Sequence, residues 1–124
     1  MAGIVHIPWY STGLRGDKLE AALAQIAPVA VRYGATAYAV HRNRDDRHRF
    51  LQTATFESKL DWERYWTSRE FTDWRVIHGG FWQVPVLYVW HDIVVEGRVE
   101  SEAVANAEWT GAPNPEPTNP ASLA

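Results

Sequence analysis

The stretch Phe56-Glu57-Ser58-Lys59-Leu60-Asp61-Trp62-Glu63-Arg64-Tyr65-Trp66, followed by Phe71-Thr72-Asp73-Trp74-Arg75-Val76-Ile77-His78, decides how this chain is read. Rings at 62, 65 and 66, then at 71, 74 and 78, keep helical spacing. Five of the seven Trp residues lie between Phe56 and Val95. So many large rings either fill a core or wall a pocket for a flat, apolar ligand. Ser58 is placed to cap the first helix, with Asp61 three residues on in a capping-box-like arrangement. That helix is expected to run to about Thr67. Ser68-Arg69-Glu70 starts a further helical segment, which ends at Gly79-Gly80.

Working outward, Ile4 to Tyr10 reads as a strand, broken by Gly13-Leu14-Arg15-Gly16. Asp17 is the N-cap candidate of a helix reaching about Tyr33, with Leu19, Leu23, Ile26, Ala27, Ala30 and Val31 at helical spacing. Pro28 falls inside that pattern and predicts a kink or break. Gly34 is the expected left-handed residue closing it. Ala35 to Arg42 and Arg49 to Phe56 read as an antiparallel pair joined by the turn Asn43 to His48. A last strand is expected from about Gln83 to Val95, with Pro85 near its start.

The resulting order is β-α-β-β-α-β, a ferredoxin-like α+β fold with two helices on one face of a four-stranded antiparallel sheet. The last run is apolar at both alternating sets of positions, Val84, Val86, Tyr88, Trp90 and Pro85, Leu87, Val89, His91. Helices cover only one face of such a sheet, so a second copy packed on the other is expected: a homodimer. The organisation predicted is a domain over residues 1–95, an arm over 96–109 and a flexible tail over 110–124. The tail carries four of the seven Pro residues. Trp109, at the edge of the tail, is read as an anchor for it.

Composition narrows the function classes. A single domain fits 124 residues. The chain has no Cys, which excludes disulfides and thiolate chemistry. The N-terminus lacks a basic region followed by a long apolar stretch, so no signal peptide is expected. No apolar run is long enough to cross a bilayer, so the expectation is cytoplasmic, with no membrane association. A net charge of −3 argues against nucleic acid. The basic cluster Arg42-Asn43-Arg44-Asp45-Asp46-Arg47-His48-Arg49 is interrupted by acids and reads as a solvated turn.

The five His residues, His6, His41, His48, His78 and His91, have no close ligand spacing. No metal site is therefore expected; only convergence in space would create one. His78, at a helix C-terminus, is the acid–base candidate. Arg75 is placed to stabilise an oxyanion. Trp62 and Trp66 are candidates for stacking on an aromatic substrate, and Tyr65 could share that role. Tyr38 and His41 sit on opposite faces of strand two, as do Tyr88 and His91 on strand four. One of each pair should meet the ligand and the other the seam between copies. No Ser-His-Asp order, phosphate-cradling loop or dinucleotide fingerprint is present.

The element order, the Gly34 turn, the passage through Phe56-Glu57-Ser58 into an aromatic helix and the Arg69 to His78 segment resemble the antibiotic biosynthesis monooxygenase (ABM)-like group of the dimeric α/β barrel superfamily. The resemblance spans roughly Gly3 to Val95. It implies a protomer that dimerises through its sheet, with a ligand pocket between sheet and helices. Its members include cofactor-independent oxygenases of polycyclic phenols or quinols, and haem-degrading enzymes. Trp66 and Trp62 match the oxygenases' helix Trp. Arg75 falls where the haem-degrading members place an iron-binding His, with His78 nearby. Pro8 and Trp9 stand where these subfamilies often use an Asn. The resemblance thus implies oxidation of an anthrone, phenol or quinol by O₂ with no bound cofactor. Isomerisation or cyclisation of a similar substrate is the alternative within enzymes. A non-catalytic dimer that binds a ligand, or docks partners through its tail, is the alternative outside them.

Overall fold

A computed structural model describes residues 1–99. Residues Met1–Ile93 form one compact unit, and a second begins at Val94. The expected arm and tail, with Trp109, lie outside the described residues except for 96–99, which carry no regular structure.

The elements are β1 (Gly3–Tyr10), α1 (Gly16–Ile26), a 3₁₀ helix (Ala27–Tyr33), β2 (Ala37–Arg42), β3 (Arg49–Phe56), α2 (Lys59–Trp66), α3 (Arg69–His78), a 3₁₀ turn (Gly79–Phe81) and β4 (Val89–Asp92). The strands form one antiparallel sheet in the order β2-β3-β1-β4. This is the ferredoxin-like arrangement expected from the sequence.

Local chemistry explains most boundaries. Pro28 cannot donate to an α-helical ladder, so α1 tightens into the 3₁₀ helix at Ala27. Gly34 ends it at φ 101°, where a side chain would be strained. Ser58 and Ser68 cap α2 and α3, accepting from the Asp61 N–H at 3.4 Å and the Phe71 N–H at 3.1 Å. The Asp61 carboxylate turns to Arg64 at 3.2 Å instead of closing a capping box. Asp17 is not the cap of α1. It lies in the first turn, where its charge suits the helix dipole, and it accepts from Arg42 at 2.8 Å. In the β2–β3 turn the Asn43 side chain accepts from the N–H groups of Asp45 and Asp46, each at 2.8 Å.

The last strand departs from expectation. Only Val89–Asp92 pair with β1, not the run from Gln83 to Val95. The Gln83 N–H donates to the Tyr10 carbonyl, and pairing resumes at His6 with Val89. The chain therefore takes two more steps from Gln83 to Val89 than β1 takes from Tyr10 to His6. The surplus leaves the sheet around Pro85, which has no N–H to give the ladder. Apolar character on both sides of this run thus does not mark a strand buried on both faces.

One face of the sheet packs on the helices. Val5, Ile7 and Trp9 of β1 and Phe50, Ala54 and Phe56 of β3 join Leu19, Leu23, Trp62, Tyr65, Phe71 and Trp74 in a single core. Three polar links cross it. The Trp9 indole donates to Gln52 at 3.0 Å, and Gln52 donates to the Tyr65 hydroxyl at 3.2 Å. That hydroxyl donates to the Ile26 carbonyl at 2.6 Å. Strand, helix and 3₁₀ junction are fixed together by groups that each need a partner once buried.

Candidate functional site

The sequence-selected residues fall in three places. The first is a helix-side aromatic cluster. Trp62 and Trp66 lie one helical turn apart on α2, with ring centroids 5.4 Å apart. Tyr88, from the segment that leaves the sheet, covers both, at 4.8 Å from Trp62 and 5.4 Å from Trp66. From α3, Arg75 lays its guanidinium over the Trp66 ring at 4.0 Å and the Phe71 ring at 4.9 Å. Phe71 and Arg75 are one turn apart, so the helix aims both at Trp66.

The electrostatics of this cluster are unusual. Arg75 makes no ion pair with any described carboxylate; its one side-chain hydrogen bond is to the Thr72 hydroxyl at 3.5 Å. Its Nη1 is buried and unpartnered, as is the indole Nε1 of the fully buried Trp62. Burial pulls the Arg75 guanidinium below its ordinary value, and the nearby Tyr65 phenol opposes that. Burial likewise pushes the Tyr65 phenol upward, so it stays a neutral hydroxyl. Two buried donors without acceptors are costly in a closed core, and each would be satisfied by an anionic or carbonyl oxygen.

The second place is the far end of α3. His78 is half-buried between Trp74 at 5.5 Å and Phe81 at 5.4 Å. Trp74 stacks on Trp82 with centroids 5.0 Å apart and planes 7° apart. The Trp74 indole donates to the Ala22 carbonyl, so this stack belongs to the core. Arg75 and His78 stand one turn apart on the same helix.

The third place is the face of the sheet away from the helices. Strand alternation puts Ile4, His6, Pro8 and Tyr10 there from β1, Leu51, Thr53 and Thr55 from β3, His41 from β2, and Val89 and His91 from β4. A cavity of about 700 Å³ opens on this face, lined by Pro8, Tyr10, His41, Arg49, Leu51 and Leu87 among others. Arg49 stacks over Tyr10 at 5.3 Å and is held by Asp46 at 2.9 Å. His91 meets His6 edge to face, with centroids 5.2 Å apart. Tyr38 points to the helix side, at the sheet edge, and is about half exposed.

Trp62, Trp66, Arg75 and Tyr88 are therefore brought together, while His41, His91, Tyr38 and His78 lie elsewhere. Gln52 was missed by sequence reasoning. Its signal was legible: a polar residue in the inward register of Phe50, Ala54 and Phe56. Tyr10, Asn43 and Arg49 of the open-face cavity gave no such signal. Among the described residues, no group of three or more His, Asp or Glu side chains converges as a metal site. No described helix is long and apolar enough to cross a membrane.

No protein-family profile matches the sequence, and no curated protein matches it. Solved structures do. A Nitrosomonas europaea protein with a provisional assignment as an antibiotic biosynthesis monooxygenase superposes with a TM-score of 0.69 at 13% identity, over 75% of this chain and 90% of that one. A Bordetella bronchiseptica protein with the same provisional assignment gives 0.62 at 22% identity, over 75% and 99%. A mutant of SnoaB, a cofactor-independent oxygenase from Streptomyces nogalater, gives 0.66 at 12% identity, over 77% and 95%. The chain has the fold of the antibiotic biosynthesis monooxygenases, which is the resemblance its residues suggested.

Proposed function

We propose that this chain is a homodimeric, cofactor-independent monooxygenase of a polycyclic phenol, anthrone or quinol. The carrying observation is Arg75, a half-buried guanidinium without a carboxylate partner among the described residues, laid over Trp66 beside the orphaned Trp62 indole. The fold shared with SnoaB supports the same reading. A flat substrate would displace Tyr88 and stack on Trp62 and Trp66. Arg75 would receive its oxyanion. His78, one turn away, would take a ring proton. The resulting carbanion passes electrons to O₂. One oxygen atom enters the ring as a carbonyl, replacing two hydrogens, and the other leaves as water.

The test is oxygen uptake and quinone absorbance with an anthrone substrate. His78→Ala should lower turnover by about a hundredfold or more, the usual scale for an acid–base group. Arg75→Met should lower it by a similar factor. Trp66→Phe should chiefly raise KM, since a ring remains for stacking. Unchanged turnover in the His78 variant removes that residue from the mechanism.

The open-face cavity favours a second reading. At about 700 Å³ it is of ligand size, and it lies on the side of the sheet opposite the helices. If the unmodified protein consumes no O₂ with any such substrate, a non-catalytic dimer binding its ligand at Tyr10, His41 and Arg49 becomes the better account. Binding that is lost in Tyr10→Ala and kept in Arg75→Met would identify it.

A further inference from the structure

His6 and His91 are 85 positions apart in sequence, yet β1–β4 pairing sets them side by side. The register places Ile4 opposite His91 and His6 opposite Val89, so the two imidazoles are diagonal neighbours on one face. Their ring centroids are 5.2 Å apart, with planes at 67°. Both rings reach the surface: His6 is half-buried and His91 exposed. Neither makes a side-chain hydrogen bond within the described residues.

The geometry points to a two-imidazole site for a borderline divalent transition metal, of the Zn(II) or Ni(II) class, on the open face of the sheet. A His nitrogen binds zinc at about 2.0 Å, and the ring centre lies about 1.1 Å further back, so each centroid stands about 3.2 Å from the metal. At a tetrahedral angle of about 110° the two centroids are then about 5 Å apart. The observed separation meets that requirement without moving either strand.

The surroundings choose the class of ion. Next to the pair on this face stand Ile4, Thr53, Thr55 and Val89, with no carboxylate among them. Hard ions such as Mg(II) and Ca(II), which take oxygen ligands, have nothing to hold them here. Imidazole suits Zn, Ni and Cu. Two protein ligands leave coordination positions open to water or to an exchangeable ligand. Its ligands take no part in the proposed oxygenase chemistry, because they lie on the opposite side of the sheet from Arg75 and Trp66, on the face that the proposed homodimer turns toward its second copy.

Isothermal titration of the untagged full chain with Zn(II) and with Ni(II), at about pH 7.5 and about pH 5, tests this. Saturable binding in the micromolar range is expected at the higher pH, and its loss at the lower, because only neutral imidazole ligates. His6→Thr and His91→Thr should each weaken binding at least tenfold, and the double variant should abolish it. Threonine suits an exposed strand position, so the fold should persist, which circular dichroism would check. His41→Thr, two strands away on the same face, should bind as the unmodified chain does. Absence of binding below millimolar metal would overturn the proposal. So would binding that survives in the double variant, or that depends on only one of the two histidines.

Discussion

The helix-covered face of the sheet and its open face share the same four strands but follow different rules. On the covered face Val5, Ile7, Trp9, Phe50, Gln52 and Phe56 are buried, and their polar atoms are linked through Trp9, Gln52 and Tyr65 to the Ile26 carbonyl. On the open face Ile4, His6, Tyr10, Leu51, Thr53 and Thr55 are half-buried, and His41, Val89 and His91 are exposed. Among the described residues the covered face is self-sufficient apart from two orphaned donors, Trp62 Nε1 and Arg75 Nη1. The open face retains apolar area, a cavity and imidazoles that no described residue pairs. Packing of the chain on itself determines the first. The second is not covered by the described chain, and the dimer proposal sets another copy against it.

The largest expected effect tests the covered face. Trp74 stacks on Trp82, meets Trp9 edge to face at 5.4 Å and hydrogen-bonds Ala22. Trp74→Ala should destabilise the fold by roughly 3–5 kcal/mol in denaturant melts, the range for deleting a large buried ring. A loss under about 1 kcal/mol would mean that this face is not a packed core. Tyr65→Phe should cost less, about 1–3 kcal/mol, by removing the hydroxyl that accepts from the Gln52 amide and donates to the Ile26 carbonyl in the interior. If it proves neutral, the polar chain across the core is not what ties α2 to the sheet.

Leu51→Asp separates the two faces. Leu51 is half-buried on the open side of β3, opposite Pro8. In a homodimer sealed through this face, a carboxylate there should convert the sedimenting species to monomer. The concentration dependence that mass action gives a dimer's unfolding midpoint should vanish with it. The monomer's own stability should stay within about 0.5 kcal/mol, as for most substitutions outside a packed core. A monomeric unmodified chain at micromolar concentration would show that the open face has no second copy to meet.

How much of this was legible beforehand depended on the range of the forces involved. The bounds of β3, the Ser58 cap of α2, the start of α3 at Ser68-Arg69-Glu70, the break at Pro28 and the closure at Gly34 follow from residues within a few positions, and all appear as expected. The length of β4 depends on how many residues β1 offers in register, and the excess around Pro85 is invisible without the partner strand. The same distinction divides the site. Arg75 reaches Trp66 because helical spacing puts it beside Phe71, a short-range fact. The His6–His91 pair and the open-face cavity arise from strand register, and the spacing of five scattered histidines carries no trace of it.

The smallest effect concerns the contact that fastens the 3₁₀ helix to α3. The Tyr33 hydroxyl donates to Glu70 at 2.6 Å, and Arg32 approaches the same carboxylate at 3.3 Å. The Tyr33 hydroxyl holds the Glu70 carboxyl below its ordinary value near 4.5, aided by its own backbone N–H and by Arg32, against a small burial penalty. Because the folded value is depressed, this contribution to stability is fully present above about pH 4.5 and is lost as pH falls through the lower folded value. Glu70 in turn raises the Tyr33 phenol above its ordinary value of 10.0, so the same contact is also lost as pH rises through that raised value. One hydrogen bond therefore shapes both limbs of the stability profile. Glu70→Gln keeps a group able to accept from Tyr33 but removes the charge. Its denaturant midpoint should fall less than the unmodified chain's between about pH 7 and pH 3.5, and less between about pH 9 and pH 11. Both residues are only half-buried, so the difference should be small beside that of Tyr65→Phe. Parallel profiles for the two proteins across both windows would show that the contact contributes nothing measurable to holding α3.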